Sequence, residues 1–138
     1  MSVFLLDVNL LVALAWPEHG AHDRAGKWFA RNCRNGWATC LLTQAGLVRI
    51  LSNPAFSTSA LSPRNALAVL EANTKLTGHR FWPDDITLMH AFDLLGERPA
   101  GHRQITDFYL VALALHHGGR LATMDEALGV LSKGVELV

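Results

Sequence analysis

The chain has 138 residues, 50% of them hydrophobic, with 12 basic and 12 acidic side chains. That suits a single domain over residues 1–138 with a real core. It excludes a protein that grips nucleic acid through overall positive charge. Two cysteines, Cys33 and Cys40, make neither a disulfide framework nor a zinc site and suit a reduced pair in a cytoplasmic protein. The first apolar stretch lacks a basic region ahead of it and is interrupted by Asp7, so neither a signal peptide nor a membrane span is expected.

Val3-Phe4-Leu5-Leu6 is a run of apolar residues, the pattern of a strand buried on both faces. Asp7 and Asn9 make a short polar turn, and the apolar residues from Leu10 to Trp16 form a helix stopped by Pro17. Residues 20–32 read as an amphipathic helix. Asn35-Gly36 marks a turn, and Trp37 to Cys40 is a short strand. Leu42-Thr43 opens a helix that Ser52-Asn53-Pro54 ends. Ser62-Pro63 is a helix start, a cap followed by proline in the first turn, and that helix runs to about Leu76.

His79 to Trp82 is a strand, and Pro83-Asp84-Asp85 is expected to start and cap a helix that reaches Gly96. Ile105-Thr106-Asp107 leads into a run from Phe108 to Leu115 that is apolar on every side, hence a buried helix. His116-His117-Gly118-Gly119 closes it. Adjacent helical residues point apart, so these histidines are expected to serve the helix C-terminus and not to share a ligand. Arg120 to Thr123 is a strand, Asp125 to Leu128 a short helix, and Val135 to Val138 a last strand. Strands alternating with helices define an α/β domain whose parallel sheet is covered on both faces.

Three acids share one kind of position. Asp7 follows the first strand, Asp125 follows the strand ending at Thr123, and Asp107 lies in the first turn of the buried helix. In a right-handed parallel sheet these positions fall on one edge, beyond the carboxyl ends of the strands. Singly, each is a helix cap or first-turn acid worth about 1 kcal/mol. If the three converge, they form an oxygen-rich site for Mg²⁺ or Mn²⁺, because acids so close would repel without a cation. The chemistry would be attack of metal-activated water on a phosphodiester. Nine of the twelve basic residues are arginine, and Arg49, Arg80, Arg98, Arg103 and Arg120 are candidates for phosphate contacts.

The order Leu6-Asp7-Val8-Asn9, Leu42-Thr43 opening a helix with Val48-Arg49, Thr106-Asp107, and Thr123-Met124-Asp125 resembles the PIN-domain ribonucleases. More narrowly it resembles VapC-type toxins of type II toxin–antitoxin pairs. The stretches 42–54 and 79–85 also resemble one VapC subgroup, and the likeness spans essentially the whole chain. It implies a three-layer α/β/α fold around a parallel sheet of about five strands. It also implies a prokaryotic, Mg²⁺-dependent endoribonuclease, with Mn²⁺ able to substitute, acting on RNA as a homodimer neutralised by a cognate antitoxin. Asp7, Asp107 and Asp125 match the family's metal-binding acids. Asn9 matches the polar residue after the first acid, Thr43 the hydroxyl residue of the second motif, and Thr123 a supporting position.

The departure lies on the Thr43 helix. PIN domains usually place a glutamate there, either three residues after the hydroxyl, where Gly46 stands, or directly after it, where Gln44 stands. Gln44 offers a carbonyl oxygen but no charge, so a weakened PIN module with a binding role is one alternative. A haloacid-dehalogenase-like phosphatase is another, although it needs a second aspartate where Asn9 stands.

Overall fold

The computed structural model describes residues 2–138. Five short strands form one sheet: β1 Phe4–Leu6, β2 Trp37–Thr39, β3 His79–Phe81, β4 Arg120–Thr123 and β5 Val135–Leu137. Every pairing is parallel and the order is β3-β2-β1-β4-β5. Successive strand residues face opposite ways. Phe4, Leu6, Trp37 and Ala122 therefore enter one core, and Leu5, Ala38, Leu121 and Val135 enter another.

The first core is closed by α1 Val8–Ala15, α2 His22–Asn32, α3 Leu41–Leu51 and α4 Pro63–Thr74. The second is closed by α5 Leu88–Leu95 and α6 Ile105–His116. The result is the expected three-layer α/β/α arrangement. α6 buries seven residues in succession, Phe108 to Ala114, which explains its apolarity on every side. Cys33 and Cys40 are free thiols in different cores. Burial pushes the Cys33 thiol up to about 12, so it is inert as a nucleophile. No helix among the described residues is long and apolar enough to cross a membrane.

The chain starts in the middle of the sheet and builds outward in both directions. Connections leave β1 toward β2 on one face, and those entering β4 cross the other face. The gap between the carboxyl ends of β1 and β4 is thus the point where the strand order reverses, and such a gap is a natural site.

Two expected boundaries moved. Asp84 and Asp85 do not cap α5; that helix begins at Leu88, and the Thr87 hydroxyl accepts from the His90 amide at 3.1 Å. The segment from Trp82 to Ile86 stays non-helical because tertiary partners hold it there. The Trp82 amide donates to the Thr39 carbonyl, and the Ile86 carbonyl accepts from the Tyr109 hydroxyl at 3.1 Å. The helix expected at Asp125 to Leu128 is a 3-10 stretch, Glu126–Gly134, broken at Leu131.

Gly46 sits where α3 crosses α1. A Cβ there would stand 2.5 Å from Val8 Cγ2. Val8 is β-branched and stiff at χ1, so it has little room to yield. Gly46→Ala should therefore destabilise the protein by about 1–3 kcal/mol of overpacking, outweighing the roughly 1 kcal/mol gained in helix propensity. Adding Val8→Ala should restore stability, as read from urea midpoints of the two variants. A Gly46→Ala protein as stable as the parent would refute this close contact.

Candidate functional site

The turn after β1 and the turn after β4 are joined by one buried hydroxyl. Thr123 Oγ1 donates to Asp7 Oδ2 at 2.7 Å, and it accepts from the Asp125 amide at 3.0 Å and from Asn9 Nδ2 at 3.3 Å. Asn9 Oδ1 in turn accepts from the Met124 amide at 3.3 Å. Asp7 Oδ1 caps α1 by accepting from the Val8 amide at 2.8 Å, and Asp125 Oδ1 accepts from the Ala127 amide at 3.0 Å. Thr123, expected only as a supporting residue, is the hub of this network and is fully buried. Its sequence signal was its place as the last residue of a strand whose next turn carries an acid.

Asp107 completes the group from the second face of the sheet. α6 runs toward the start of β4, so its first turn lies at the carboxyl edge. Burial and the neighbouring charges of Asp7 and Asp125 push the Asp107 carboxyl up to about 6. Asp7 is raised too, by burial first, with the hydrogen bonds from Thr123 and Val8 pulling the other way and the charge of Asp125 adding to the rise. The charges of Asp7 and Asp125 therefore reach Asp107, and that of Asp125 reaches Asp7. Among the described residues none of them forms an ion pair with lysine, arginine or histidine; the ion pairs lie elsewhere. Asp107 also accepts no hydrogen bond among those residues, so its carboxylate is free for a ligand.

The second motif is built differently from expectation. Thr43 was expected to orient a ligand or water, but its hydroxyl is spent on the start of α3. Thr43 Oγ1 accepts from the Cys40 amide at 3.0 Å and lies 3.1 Å from the Cys40 carbonyl, fully buried. It stands three residues into the helix and reaches back to the cap, a role usual for glutamate or glutamine. Gln44 lies in the same first turn, at the carboxyl edge of β2. Its Nε2 donates to Thr39 Oγ1 at 3.0 Å, and that hydroxyl lies 2.7 Å from His79 Nε2. Burial lowers the pKa of His79, and the tautomer of its ring sets which of the two groups donates. This leaves the Gln44 carbonyl oxygen uncommitted among the described residues. Gly46 faces Val8 and has no space for a glutamate.

Of the five arginines singled out, Arg98 pairs with Asp93, Arg120 with Glu136, and Arg80 donates to the Asn35 carbonyl. Arg49 on α3 and Arg103, four residues ahead of Asp107, are exposed and form no ion pair among the described residues. A cavity of about 300 Å³ opens beside the start of α6, lined by Leu42, Asp84, Thr106 and Tyr109 among others.

A three-layer α/β/α domain with uncompensated acids at the reversal point of a parallel sheet defines a class built to gather negative charge at one edge. The PIN-domain family profile matches residues 4–133. Ribonuclease VapC39 of Mycobacterium tuberculosis is 49% identical over 126 residues, covering 90% of this chain and 89% of that protein. The chain thus belongs to the PIN-domain family, in its VapC branch. The family match removes the haloacid-dehalogenase-like alternative. Two solved structures share the fold at low identity, each aligned over 98% of both chains. They are M. tuberculosis VapC20, a sarcin-ricin loop cleaving toxin, with TM-score 0.69 and 15% identity, and VapBC2 of Rickettsia felis bound to a promoter DNA fragment, with TM-score 0.66 and 13% identity.

Proposed function

We propose that this chain is an endoribonuclease, the toxin of a type II toxin–antitoxin pair, that uses Mg²⁺ or Mn²⁺ held by Asp7, Asp107 and Asp125. The observation that carries this reading is that the charges of Asp7 and Asp125 reach Asp107, with none of the three in an ion pair among the described residues, in a chain 49% identical to a protein named as a ribonuclease. The donor set fits such an ion. It is all oxygen, it has Asp107 free of other partners, and the ion-free fold already bears the cost of crowding like charges. The ligand atoms of the three acids do not all lie within 4.8 Å of one another; among the described residues the group that meets that limit is Asp85, His116 and His117. Mg²⁺ keeps several of its waters, so wider spacing suits it.

A divalent cation at this edge would lower the pKa of water and neutralise charge developing on the phosphoryl group. The chain's own residues set the geometry. Thr123 and the Val8 amide fix both oxygens of Asp7. Asn9 ties the β1 turn to the β4 turn. Asp107 approaches from the other face of the sheet. Arg103, ahead of Asp107, would hold an RNA phosphate as a planar fork suited to it, whereas Arg49, in the last turn of α3, lies about 12 Å along that helix from the acidic edge. A second identical subunit and a cognate antitoxin are the proposed protein partners, and the cytoplasm the proposed compartment.

A second reading, a weakened PIN module used for binding, is favoured by Gln44 and Gly46, which leave the site one acid short. Gln44→Glu should resolve it. A carboxylate there still accepts from Thr39 if His79 supplies the proton, so the fold should tolerate it. The added charge should raise Mn²⁺ affinity by roughly fivefold, about 1 kcal/mol. Unchanged affinity in calorimetry would mean that position 44 does not reach the ion.

The function itself is tested with end-labelled total RNA, with Mn²⁺ and with EDTA, against Asp7→Asn. Discrete cuts that vanish with EDTA and in the variant support the nuclease. No cuts together with no Mn²⁺ binding would overturn it in favour of the binding module.

A further inference from the structure

At the far end of α6 three side chains aim at one point. Asp85 Oδ1 lies 3.3 Å from His116 Nε2 and 3.1 Å from His117 Nε2. The ligand atoms of all three lie within 4.8 Å of one another. The histidines were expected to point apart, as neighbours on a helix do. They converge at the end of α6, where His116 is the last helical residue and His117 is the C-cap, with φ −87° and ψ 10°. The two ring planes stand 80° apart. His117 is held in place by stacking on Trp82, with ring centroids 5.0 Å apart and planes 13° from parallel.

We infer that Asp85, His116 and His117 form a second metal site, for a zinc-class ion, that clamps the segment after β3 onto the end of α6. A tetrahedral ion with bonds of about 2.0–2.1 Å sets its ligands about 3.4 Å apart. Two of the three edges already have nearly that length. Two imidazoles and a carboxylate suit Zn²⁺, Co²⁺ or Ni²⁺, whereas the all-oxygen acids at the other end of α6 suit Mg²⁺ or Mn²⁺. The ten residues from Asp107 to His117 span about 15 Å of helix, so the two sites are separate. His90 on α5 stands edge-on to His116, ring centroids 6.1 Å apart, outside the ligand group, so water would take the fourth position.

Without the ion, a proton on His117 Nε2 lies between the Pro83 carbonyl and Asp85, each 3.1 Å away. Ligation through Nε2 requires the tautomer with its proton on Nδ1, so the ion and this hydrogen bond exclude one another. The site joins a non-helical segment to a helix end, and its work is to hold the α5–α6 layer. It does not depend on the nuclease reading.

The test uses the full chain without an affinity tag, carrying Asp107→Asn to weaken the aspartate site. Co²⁺ should bind as a single equivalent with the strong visible bands of tetrahedral coordination, and Zn²⁺ should displace it. Zn²⁺ at a hundredfold excess over Kd should raise Tm by roughly 5 °C or more. His116→Gln should weaken Zn²⁺ binding about tenfold or more and cut the Tm rise at the same Zn²⁺ concentration to about half or less, with the circular dichroism of the ion-free protein unchanged. Asp85→Asn, in a partly exposed loop, gives the same readout if His116→Gln fails to fold. Zn²⁺ affinity equal in the parent and both variants, or no binding up to millimolar Zn²⁺, would overturn the site and leave a hydrogen-bonded clamp alone.

Discussion

Replacing Asp107 with asparagine should raise the Tm of the ion-free protein at pH 7.5 while removing RNA cleavage. An unfolded aspartate titrates near 3.9, and in the fold Asp107 is held at about 6. Between those values the native chain keeps a proton that the unfolded chain has lost. Native stability therefore falls as pH rises from about 4 through about 6, and above that the penalty is complete. Asparagine cannot ionise and escapes it. After screening by water at a partly buried site, the gain is on the order of 1–2 kcal/mol, or about 3–6 °C. At pH 4 the two proteins should melt together. Mn²⁺ should stabilise the parent at pH 7.5 more than the variant, and its affinity for the parent should weaken as pH falls below about 6. Cleavage should drop roughly a hundredfold or more. A variant that melts at or below the parent at pH 7.5 would show that Asp107 is not under like-charge strain.

The second large effect belongs to Thr123. Valine keeps its shape but removes the hydroxyl that donates to Asp7 and accepts from Asp125 and Asn9. The Asp125 amide would lose its acceptor and Asp7 one of the two bonds that hold its carboxyl down. Stability should fall by about 1–3 kcal/mol, and the Asp7 carboxyl should rise further. Mn²⁺ affinity should fall about 10–100-fold, the usual cost of losing a group that orients a metal ligand. Thr123→Ser keeps the hydroxyl and should recover most of that affinity. Calorimetry with Mn²⁺ and thermal melts of the two variants separate a positioning role from packing. Mn²⁺ binding by Thr123→Val equal to the parent would remove the hub from the proposed site.

Much of the architecture is local and could be read along the chain. Val3 to Leu6 and Phe108 to Leu115 are apolar without interruption, because elements covered on both sides have no reason to alternate. Ser62-Pro63 names its own helix start, and the Ser62 hydroxyl does accept from the Asn65 amide at 3.1 Å. Acids at strand ends and helix starts could be read as one edge because the chirality of parallel crossovers leaves little choice.

What the chain could not disclose by itself was decided by partners distant in sequence. The segment after Trp82 has the signals of a helix start. Its amide and carbonyl partners, Thr39 and Tyr109, lie 43 and 23 residues away and outbid the local preference. Thr43 has the chemistry of a ligand-orienting group, yet burial leaves its hydroxyl only backbone to bond. The histidine pair looked divergent until the end of α6 turned one ring toward Asp85. Thr123 became the hub because it is 116 residues from Asp7 in sequence and 2.7 Å away in space. Hydrophobic period and helix capping act over a few residues, so the sequence alone determined the elements, their layers and the edge on which the acids gather. Hydrogen bonds and side-chain packing act wherever the fold brings groups together, so only the tertiary structure decided which polar groups are spent on the scaffold and which remain free for a ligand.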